Sequence, residues 1–331
     1  MSEFIRLSIG TAALLGFIRC RLDAPPTTAY TMTYTQSRCN ANCAFCAQAR
    51  DSNANADQLS RVTWPAYSLN QFIDTLGENA VNFPFKRLCI QTLRYPNLIN
   101  DLKHLIIIFK NQIPKVPLSI ALPPLNVEQF QALFNLGVDR VAISLDAITA
   151  SIFDNIKGAG VNGPFTWVQH HQAIDSACSI FGPGRTTTHL IIGLGETEYQ
   201  TVSLIQRLVK KGIKIGLFPF IPIQGTHLAR YARPTIDHYR RIQLAHYLLK
   251  TQSVTINQMH FNSSNQLTNL GLSKKVLIDI IARGKPFQTA GCPSCNRPFF
   301  TEQPKGPIYN YPEPLTDEAL NEIKTQLAGV L

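Results

Sequence analysis

The chain has 331 residues, of which 45% are hydrophobic and 16% are charged. This is a globular composition, long enough for one large α/β domain or two smaller ones. The formal net charge of +10 fits either simple solubility or an acidic partner, which could be nucleic acid, an anionic cofactor or an acidic protein. The chain has no long Lys or Arg run, which argues against a nucleic-acid-binding tail.

The first apolar segment is residues 7–18, LSIGTAALLGFI. It is too short to span a bilayer. Glu3 precedes it, Arg6 is its only basic neighbour on that side, and no small-residue cleavage site follows, so it lacks the pattern of a secretion signal. We predict a short helix within an N-terminal helical extension, residues 1–27, and expect a cytoplasmic protein that does not contact the membrane.

Six β-branched runs alternate with segments of helical spacing. The predicted strands are residues 28–35, 86–92, 117–122, 139–145, 186–193 and 214–221. Six βα units in a row predict a parallel sheet covered by helices, either an open doubly wound sheet or a partial barrel. In both architectures the active site lies at the carboxyl ends of the strands.

The helices between these strands carry apolar residues at i, i+3, i+4 and i+7. Three sets show this spacing: Leu69, Phe72, Ile73 and Leu76; Leu102, Leu105, Ile106 and Phe109; Val202, Ile205, Leu208 and Val209. Gly212 is predicted to end the last of these helices. We assign the α/β core to residues 28–232.

A C-terminal extension follows, residues 233–331. It is predicted to contain a helix over 235–250, a strand over 254–261 and a helix around Val276 and Ile280. Its Pro-rich tail, from residue 286 onward, carries two cysteines and is expected to fold back over the mouth of the core.

Three of the eight cysteines, Cys39, Cys43 and Cys46, follow the first predicted strand at C-x3-C-x2-C spacing. Clustered cysteines in a long unsecreted chain more often hold metal than form disulfides. A structural zinc site uses four protein ligands, whereas a 4Fe–4S cluster held by three thiolates leaves one iron open to a small molecule. From the spacing alone, a zinc site completed by a distant His or Cys stays an alternative.

This loop resembles the C-x3-C-x-aromatic-C signature of radical S-adenosylmethionine (SAM) enzymes, with Phe45 as the aromatic residue. The resemblance implies a partial (β/α)6 barrel and a 4Fe–4S cluster on the three cysteines, whose open iron chelates SAM. In that family an electron from the cluster cleaves SAM to methionine and a 5′-deoxyadenosyl radical, which removes hydrogen from an unactivated carbon. A ferredoxin or flavodoxin is the expected electron donor.

Two further segments resemble SAM-binding elements of the family. IIGLGET (191–197) resembles G-x-I-x-G-x-x-E and implies that Gly193, Gly195 and Glu196 lie near the adenosyl group. The alternative is a tight strand–helix turn in which Glu196 caps the helix. FPFIPIQGT (218–226) resembles a segment that touches adenine in biotin-synthase-like members.

The second and fourth strands carry polar candidates for contacts with SAM or substrate. Ser144 and Asp146 project the same way by alternation, although a buried, satisfied Asp is the alternative. Where the family usually has G-G-E, this chain has CIQT (89–92), so Gln91 or Thr92 is the substitute for contacting the methionine amino group.

A second metal site is predicted from Cys292 and Cys295 in GCPSC. An auxiliary 4Fe–4S cluster needs further ligands. Cys89, which faces the same way as Gln91, is the next candidate, and Cys20 follows. Cys178 lies four residues after Ile174 on an apolar helix face and is predicted to be a core residue.

Radical SAM enzymes with auxiliary clusters include those that insert sulfur at carbon. Residues 29–50, 59–65, 86–96 and 291–312 resemble a subunit of the two-protein lipoyl synthases. The resemblance implies sulfur transfer to an octanoyl chain on an acidic carrier protein or peptide, together with a second radical SAM subunit. The three-cysteine motif that precedes the SAM loop in single-chain lipoyl synthases is absent, since only Cys20 stands there.

Other functions stay open at this point. One is a biotin-synthase-like mutase, cofactor-maturation enzyme or small-molecule synthase without sulfur donation. A radical SAM enzyme acting on RNA is another, although no appended RNA-binding domain is evident. A basic zinc-binding module for nucleic acid would need four-ligand sites and a basic stripe with interleaved aromatics, and neither is present in the sequence.

Overall fold

A computed structural model describes residues 2–331. The strands in chain order are β1 (Phe4–Leu7), β2 (Ala29–Thr33), β3 (Gln58–Leu59), β4 (Val62–Thr63), β5 (Ala66–Ser68), β6 (Leu88–Gln91), β7 (Leu118–Leu122), β8 (Arg140–Ile143), β9 (Thr186–Ile192), β10 (Lys214–Pro219), β11 (His260–Phe261) and β12 (Leu267–Asn269). The helices are α1 (Ile9–Leu14), α2 (Leu69–Glu78), α3 (Leu98–Gln112), α4 (Val127–Asn135), α5 (Ala150–Ile156), α6 (Trp167–Phe181), α7 (Glu198–Lys210), α8 (Ile236–Lys250), α9 (Lys274–Ala282) and α10 (Asp317–Gln326).

The fold is an α/β partial barrel, as the sequence predicts. Its main sheet has eight strands in the order β10-β9-β8-β7-β6-β2-β1-β5. Six of these strands, β2 and β6 to β10, pair in parallel. They correspond to the six predicted strands, with their ends shortened by a few residues. The helices pack outside the sheet, where they cover the apolar side chains on the outer faces of the strands.

The N-terminal extension differs from the prediction of helix over 7–18. Residues Phe4–Leu7 form a strand that pairs antiparallel with β2 on one side and β5 on the other. Only Ile9–Leu14 is helical, and the Ser8 hydroxyl caps that helix. Because Ile5 and Leu7 alternate towards the core, their burial stabilises a strand where the sequence was interpreted as helix.

The predicted helical faces are confirmed. Leu69, Phe72 and Leu76 of α2 are buried, and so are Leu102, Leu105, Ile106 and Phe109 of α3. Helix α7 ends as expected, because Gly212 follows its last turn with φ of 75°, a conformation that favours glycine.

The C-terminal extension packs α8, α9 and α10 onto the barrel. Helix α8 matches the predicted helix, but the predicted strand over 254–261 is wrong. Residues Ile256–Gln258 form a short 3-10 helix, and only His260–Phe261 is extended, pairing with β12 in a separate hairpin. None of the helices within residues 2–331 combines the length and apolar character needed to cross a bilayer.

Candidate active site

The barrel encloses a cavity of about 310 Å³. Inward-facing residues of the parallel strands line it at every second position, for example Tyr30 and Met32 on β2 and Cys89 and Gln91 on β6. Eleven sequence-predicted site residues line this one cavity: Cys39, Cys43, Phe45, Cys46, Cys89, Gln91, Thr92, Ser144, Asp146, Cys292 and Cys295. Phe218 at the end of β10 also reaches it, as do Phe220, Ile221 and Ile223 in the segment that follows.

Cys39, Cys43 and Cys46, which we call the loop thiols, lie beyond the carboxyl end of β2. Hydrogen bonds within the loop run from Cys39 N to Gln48 O at 3.1 Å and from Cys46 N to Cys43 O at 3.0 Å. The Gln48 side chain donates to the carbonyls of Ala56 and Gln58, each at 2.6 Å. Backbone bonds from Asn40 N to Arg94 O at 2.8 Å and from Ala44 N to Ile156 O at 2.7 Å also tie the loop to its neighbours, so local and distant contacts together position the three thiols.

The loop thiols are close enough to influence one another. Burial, chiefly, and then the neighbouring Cys39 raise the pKa of Cys46 to about 12, and burial raises the pKa of Cys43 as well. The Cys39 sulfur accepts hydrogen bonds from the backbone N–H of Arg94 at 3.1 Å and of Ala41 at 3.5 Å. Three partly buried thiols, two of them with backbone N–H donors, suit an anionic iron–sulfur cluster, which would bind them as thiolates.

No three His, Cys, Asp or Glu side chains within residues 2–331 stand close enough to hold a single metal ion. The loop thiols instead line the wall of the barrel cavity.

A buried polar network lies beside the loop thiols. The ammonium group of Lys157, which is 6% exposed, donates to Asp146 Oδ2 at 2.6 Å and to the Ser144 carbonyl at 2.5 Å. The Ser144 hydroxyl bonds to His189 Nδ1 at 2.7 Å. Burial, together with the cations Arg297 and Lys157, lowers the pKa of His189 to about 3, so this imidazole is neutral.

The tail lies elsewhere than expected. Instead of covering the mouth, it docks at the amino ends of the strands, on the opposite side of the barrel from the loop thiols. The hydroxyls of Thr27 and Thr28, just before β2, both donate to the Ser294 carbonyl at 2.7 Å. Arg87, just before β6, donates to the Pro293 carbonyl at 3.2 Å.

This docking brings Cys292 and Cys295 towards Cys89, and we call these three the tail thiols. Burial raises the pKa of Cys89 well above its ordinary value, and Cys292 and Cys295 raise it further, which indicates that the three lie near each other. Strand register puts Cys89 directly between Tyr30 of β2 and Ser119 of β7. The tail cysteines lie next to these same two neighbours, Cys295 beside Tyr30 and Cys292 beside Ser119.

Side-chain donors surround the tail thiols. Gln91 Nε2 donates to Cys89 Sγ at 3.2 Å, and the hydroxyls of Ser119 and Thr187 lie 3.9 and 3.8 Å from Cys292 Sγ. Tyr30 Oη and Arg297 Nη1 lie 3.5 and 3.6 Å from Cys295 Sγ. These donors and the Arg297 cation suit a second anionic cluster in the same way.

Arg297 also closes the barrel. Its guanidinium stacks over the Phe218 ring of β10 at 4.2 Å, while its backbone N–H donates to the Tyr30 hydroxyl on β2 at 2.9 Å. The tail thus bridges the last and first parallel strands of the open sheet.

An apolar wall connects the two thiol sets. Its buried members include Tyr30, Met32, Trp64 and Leu93, and Phe300 packs against them. The wall contacts Cys39 at one end and Cys89 and Cys295 at the other. A hydrophobic molecule lying along it would therefore meet both ends of the cavity.

Four predicted site residues lie outside this cavity. Gly193, Gly195 and Glu196 form the turn after β9, and both carboxylate oxygens of Glu196 accept backbone N–H groups, from Gly193 at 2.6 Å and Leu194 at 2.9 Å. Glu196 therefore closes a tight turn, while Thr197 caps the helix that follows, and the expected contact with the adenosyl group stays a prediction. Cys20 is exposed and influences Tyr67, so it takes no part in the tail thiol set.

Cys178 is partly buried against the main core, as expected for a packing residue.

Four important residues escaped the sequence analysis: Tyr30, Lys157, His189 and Arg297. The alternation that pointed to Cys89 and Gln91 applies equally to Tyr30 on β2 and to His189 on β9, so a signal for these two existed. Lys157 and Arg297 lie in loops without periodicity, and only the fold brings them to the cavity.

Comparisons with known proteins agree with this geometry. No curated protein matches the sequence. Among solved structures, methylornithine synthase (PylB) has a TM-score of 0.52 at 13% identity, covering 90% of this chain and 80% of that one. The FeFe-hydrogenase maturase HydG from Carboxydothermus hydrogenoformans has a TM-score of 0.52 at 14% identity, and this chain covers 52% of it.

SuiB from Streptococcus suis bound to S-adenosylmethionine has a TM-score of 0.50 at 14% identity, covering 69% of this chain and 48% of SuiB. These likenesses show the fold. The family description "Radical SAM superfamily" matches residues 33–216, more than half of the chain and including all three loop thiols. This chain belongs to the radical SAM superfamily, whose members bind SAM and a 4Fe–4S cluster.

Proposed function

We propose that this protein inserts sulfur into an octanoyl chain carried by a protein, as one subunit of a lipoyl synthase. The observation that carries the proposal is the pair of thiol sets in one cavity, with Cys39, Cys43 and Cys46 at one end and Cys89, Cys292 and Cys295 at the other. A radical enzyme that only rearranges its substrate has no need of the second set.

The residues divide the work between the two ends. The loop thiols would hold the cluster that binds SAM, and the tail thiols would hold an auxiliary 4Fe–4S cluster. When bound, the first cluster supplies the electron that cleaves SAM, and the second supplies sulfide for the new C–S bond while its iron takes up the substrate's unpaired electron. Asp146 and Lys157, whose charges act on Cys43, lie beside the loop thiols and are the candidates for orienting SAM.

The apolar wall supports an acyl substrate. An octanoyl chain offers no polar handle, so it needs an apolar surface that excludes water and fixes its carbons near the reacting groups. The wall of Met32, Trp64, Leu93 and Phe300 meets this need and touches thiols at both ends.

Three partners follow from the proposal. The electron donor would be a ferredoxin or flavodoxin, and a second radical SAM subunit would supply the other sulfur. The acyl chain would arrive on an acidic carrier, and the net charge of +10 would assist that encounter.

The test is anaerobic reconstitution followed by iron and sulfide counting, then mass spectrometry of an octanoyl-lysyl peptide. We expect roughly eight irons per chain and one sulfur added to the peptide. Cys292→Ala and Cys295→Ala should keep roughly half of the iron and still release 5′-deoxyadenosine from SAM, but should add no sulfur. Cys178→Ala is the matched control, since its thiol lies outside both sets, and it should behave like the wild type.

The outcomes separate the alternatives. Sulfur transfer that survives loss of Cys292 and Cys295 would mean that the sulfur comes from elsewhere. Cleavage of SAM without modification of any octanoyl peptide, with or without a second subunit, would favour a biotin-synthase-like radical enzyme that does not donate sulfur.

A further inference from the structure

The hydroxyl group of Tyr30 has an unusual environment. Tyr30 is 1% exposed and lies on the inner face of β2, with its ring 5.0 Å from that of Phe300. Its oxygen accepts the backbone N–H of Arg297 at 2.9 Å. The hydroxyl proton therefore points away from Arg297 and needs an acceptor of its own, because burying an unpaired donor is costly.

Within residues 2–331, the one acceptor in reach of that proton is Cys295 Sγ at 3.5 Å. The ring of Phe300 packs against the ring of Tyr30, and the ring of Trp64 packs against that of Phe300. Since the phenol oxygen already accepts from Arg297, the hydroxyl is placed to donate to this sulfur. The acceptor is one of the tail thiols.

Hydrogen bonds to the sulfur ligands are among the factors that set the reduction potential of an iron–sulfur cluster. A donor withdraws electron density from the thiolate and favours the state with the extra electron. In the proposed reaction, the C–S bond forms as the cluster iron accepts one electron, so a cluster that is easier to reduce accepts the substrate radical more readily.

We infer that Tyr30 is a positioning residue for the auxiliary cluster, in which its hydroxyl donates to the Cys295 thiolate and makes that cluster easier to reduce. The inference rests on the proposed function, because it requires a cluster on the tail thiols. It gives β2, the first of the parallel strands, a role in setting the potential of the auxiliary cluster at the amino ends of the strands.

The experiment is a potentiometric titration of the reconstituted full-length chain, followed by electron paramagnetic resonance. The same titration of a Cys39/Cys43/Cys46 triple Ala variant identifies the auxiliary cluster signal. In Tyr30→Phe the ratio of reduced to oxidised auxiliary cluster at a fixed potential should fall about tenfold, which is a shift of ~59 mV to more negative potential for one electron. The loop cluster should keep its potential.

Tyr95→Phe is the matched control. The Tyr95 hydroxyl donates to Asp101 Oδ2 at 3.1 Å rather than to sulfur, so its removal should leave both potentials unchanged. If Tyr30→Phe loses the cluster, site-specific 3,5-difluorotyrosine at position 30 decides the matter. Its more acidic hydroxyl is a stronger donor, so the potential should move in the opposite direction, to a more positive value.

Two failures are distinguishable. An auxiliary cluster whose potential is the same in the wild type, Tyr30→Phe and the difluorotyrosine variant would overturn the role of Tyr30 and leave the proposed function intact. A wild-type chain without any cluster on Cys89, Cys292 and Cys295 would overturn the proposed function itself.

Discussion

The two thiol sets are built in different ways. The loop thiols lie within eight consecutive residues, 39–46, and the donors to their sulfurs are backbone N–H groups of Ala41 and Arg94. The tail thiols come from β6 and from a loop about 200 residues later, and their donors are side chains of Tyr30, Gln91, Ser119 and Arg297.

This difference separates a local motif from a tertiary one. The loop thiols lie on one short segment, which is held by its own hydrogen bonds and by backbone bonds from Asn40 to Arg94 and from Ala44 to Ile156, so distant changes that spare these contacts should leave it intact. The tail site exists only where the last segment closes the barrel, so it should depend on distant contacts. Mutations should therefore show an asymmetry between the two ends of the cavity.

The largest expected effect is at the loop. Cys43→Ala removes one of three thiolates, and the cluster that supplies the electron should be lost. We expect reductive cleavage of SAM to fall by about 1,000-fold or more, which corresponds to roughly 4 kcal/mol or more of activation free energy. Chromatography of 5′-deoxyadenosine measures it, and iron held by the tail thiols should remain. Cleavage at the wild-type rate would contradict the assignment of the loop.

The next effect concerns the buried cation beside the loop. Lys157→Met leaves the Asp146 carboxylate buried, without the ammonium partner it has at 2.6 Å. Breaking a buried pair in this way typically lowers the free energy of unfolding by about 3–5 kcal/mol. Urea denaturation of the cluster-free chain measures the change.

The double variant Lys157→Met with Asp146→Asn should recover most of that stability, because it also removes the orphaned charge. Equal destabilisation by the single and double variants would show that the Lys157 side chain acts through packing against Phe153 and Phe165 instead.

Much of the fold could be predicted because the six parallel strands are short β-branched runs that alternate with segments of helical spacing. Strands β2 and β6 to β10 all lie where their β-branched runs predict. Strand β1 was missed because four residues next to an apolar helix give too short an alternation to be distinguished. The predicted strand over 254–261 failed because a 3-10 helix, Ile256–Gln258, separates the buried Val254 and Met259, and a few apolar residues do not distinguish such a turn from a strand.

The site divides in the same way as the two thiol sets. The loop thiols, and Ser144 and Asp146, follow from a motif and from alternation. The sequence suggested Cys292 and Cys295, but it could not show that they meet Cys89 at the amino ends of the strands. That arrangement depends on Thr27, Thr28 and Arg87 holding the tail, and no local pattern encodes contacts over such distances.

A third polar region, around His238, lies outside both thiol sets and serves as a control against which changes at the two sets can be compared. His238 lies between Glu196 and Glu198, with Nδ1 2.9 Å from Glu198 Oε1. Burial opposes its charge, but the two carboxylates outweigh burial and raise the pKa of His238 to about 9. The folded chain therefore binds this proton more tightly than the unfolded chain does.

The sign of the pH effect follows. This contribution to stability is fully present below the unfolded pKa of about 6.5 and is lost as pH rises through about 9. We expect the free energy of unfolding to fall by about 3 kcal/mol over that interval. Urea titrations at several pH values measure it, and His238→Gln should flatten the dependence. Iron loss on raising the pH should be similar at both thiol sets, since this network belongs to neither.

The smallest expected effect tests how much each side-chain donor contributes to the tail thiols. The Ser119 hydroxyl accepts from Arg87 Nη1 at 2.8 Å and lies 3.9 Å from Cys292 Sγ, near the limit for a hydrogen bond to sulfur. Ser119→Ala should therefore change the stability of the cluster-free chain by about 1 kcal/mol or less, because Arg87 keeps its ion pair with Asp139 at 2.7 Å. Iron retention at the tail thiols after anaerobic dialysis should fall only slightly, and the loop thiols should retain theirs. A large, selective loss from the tail set would mean that Ser119 binds the cluster directly and is not one of several weak donors around it.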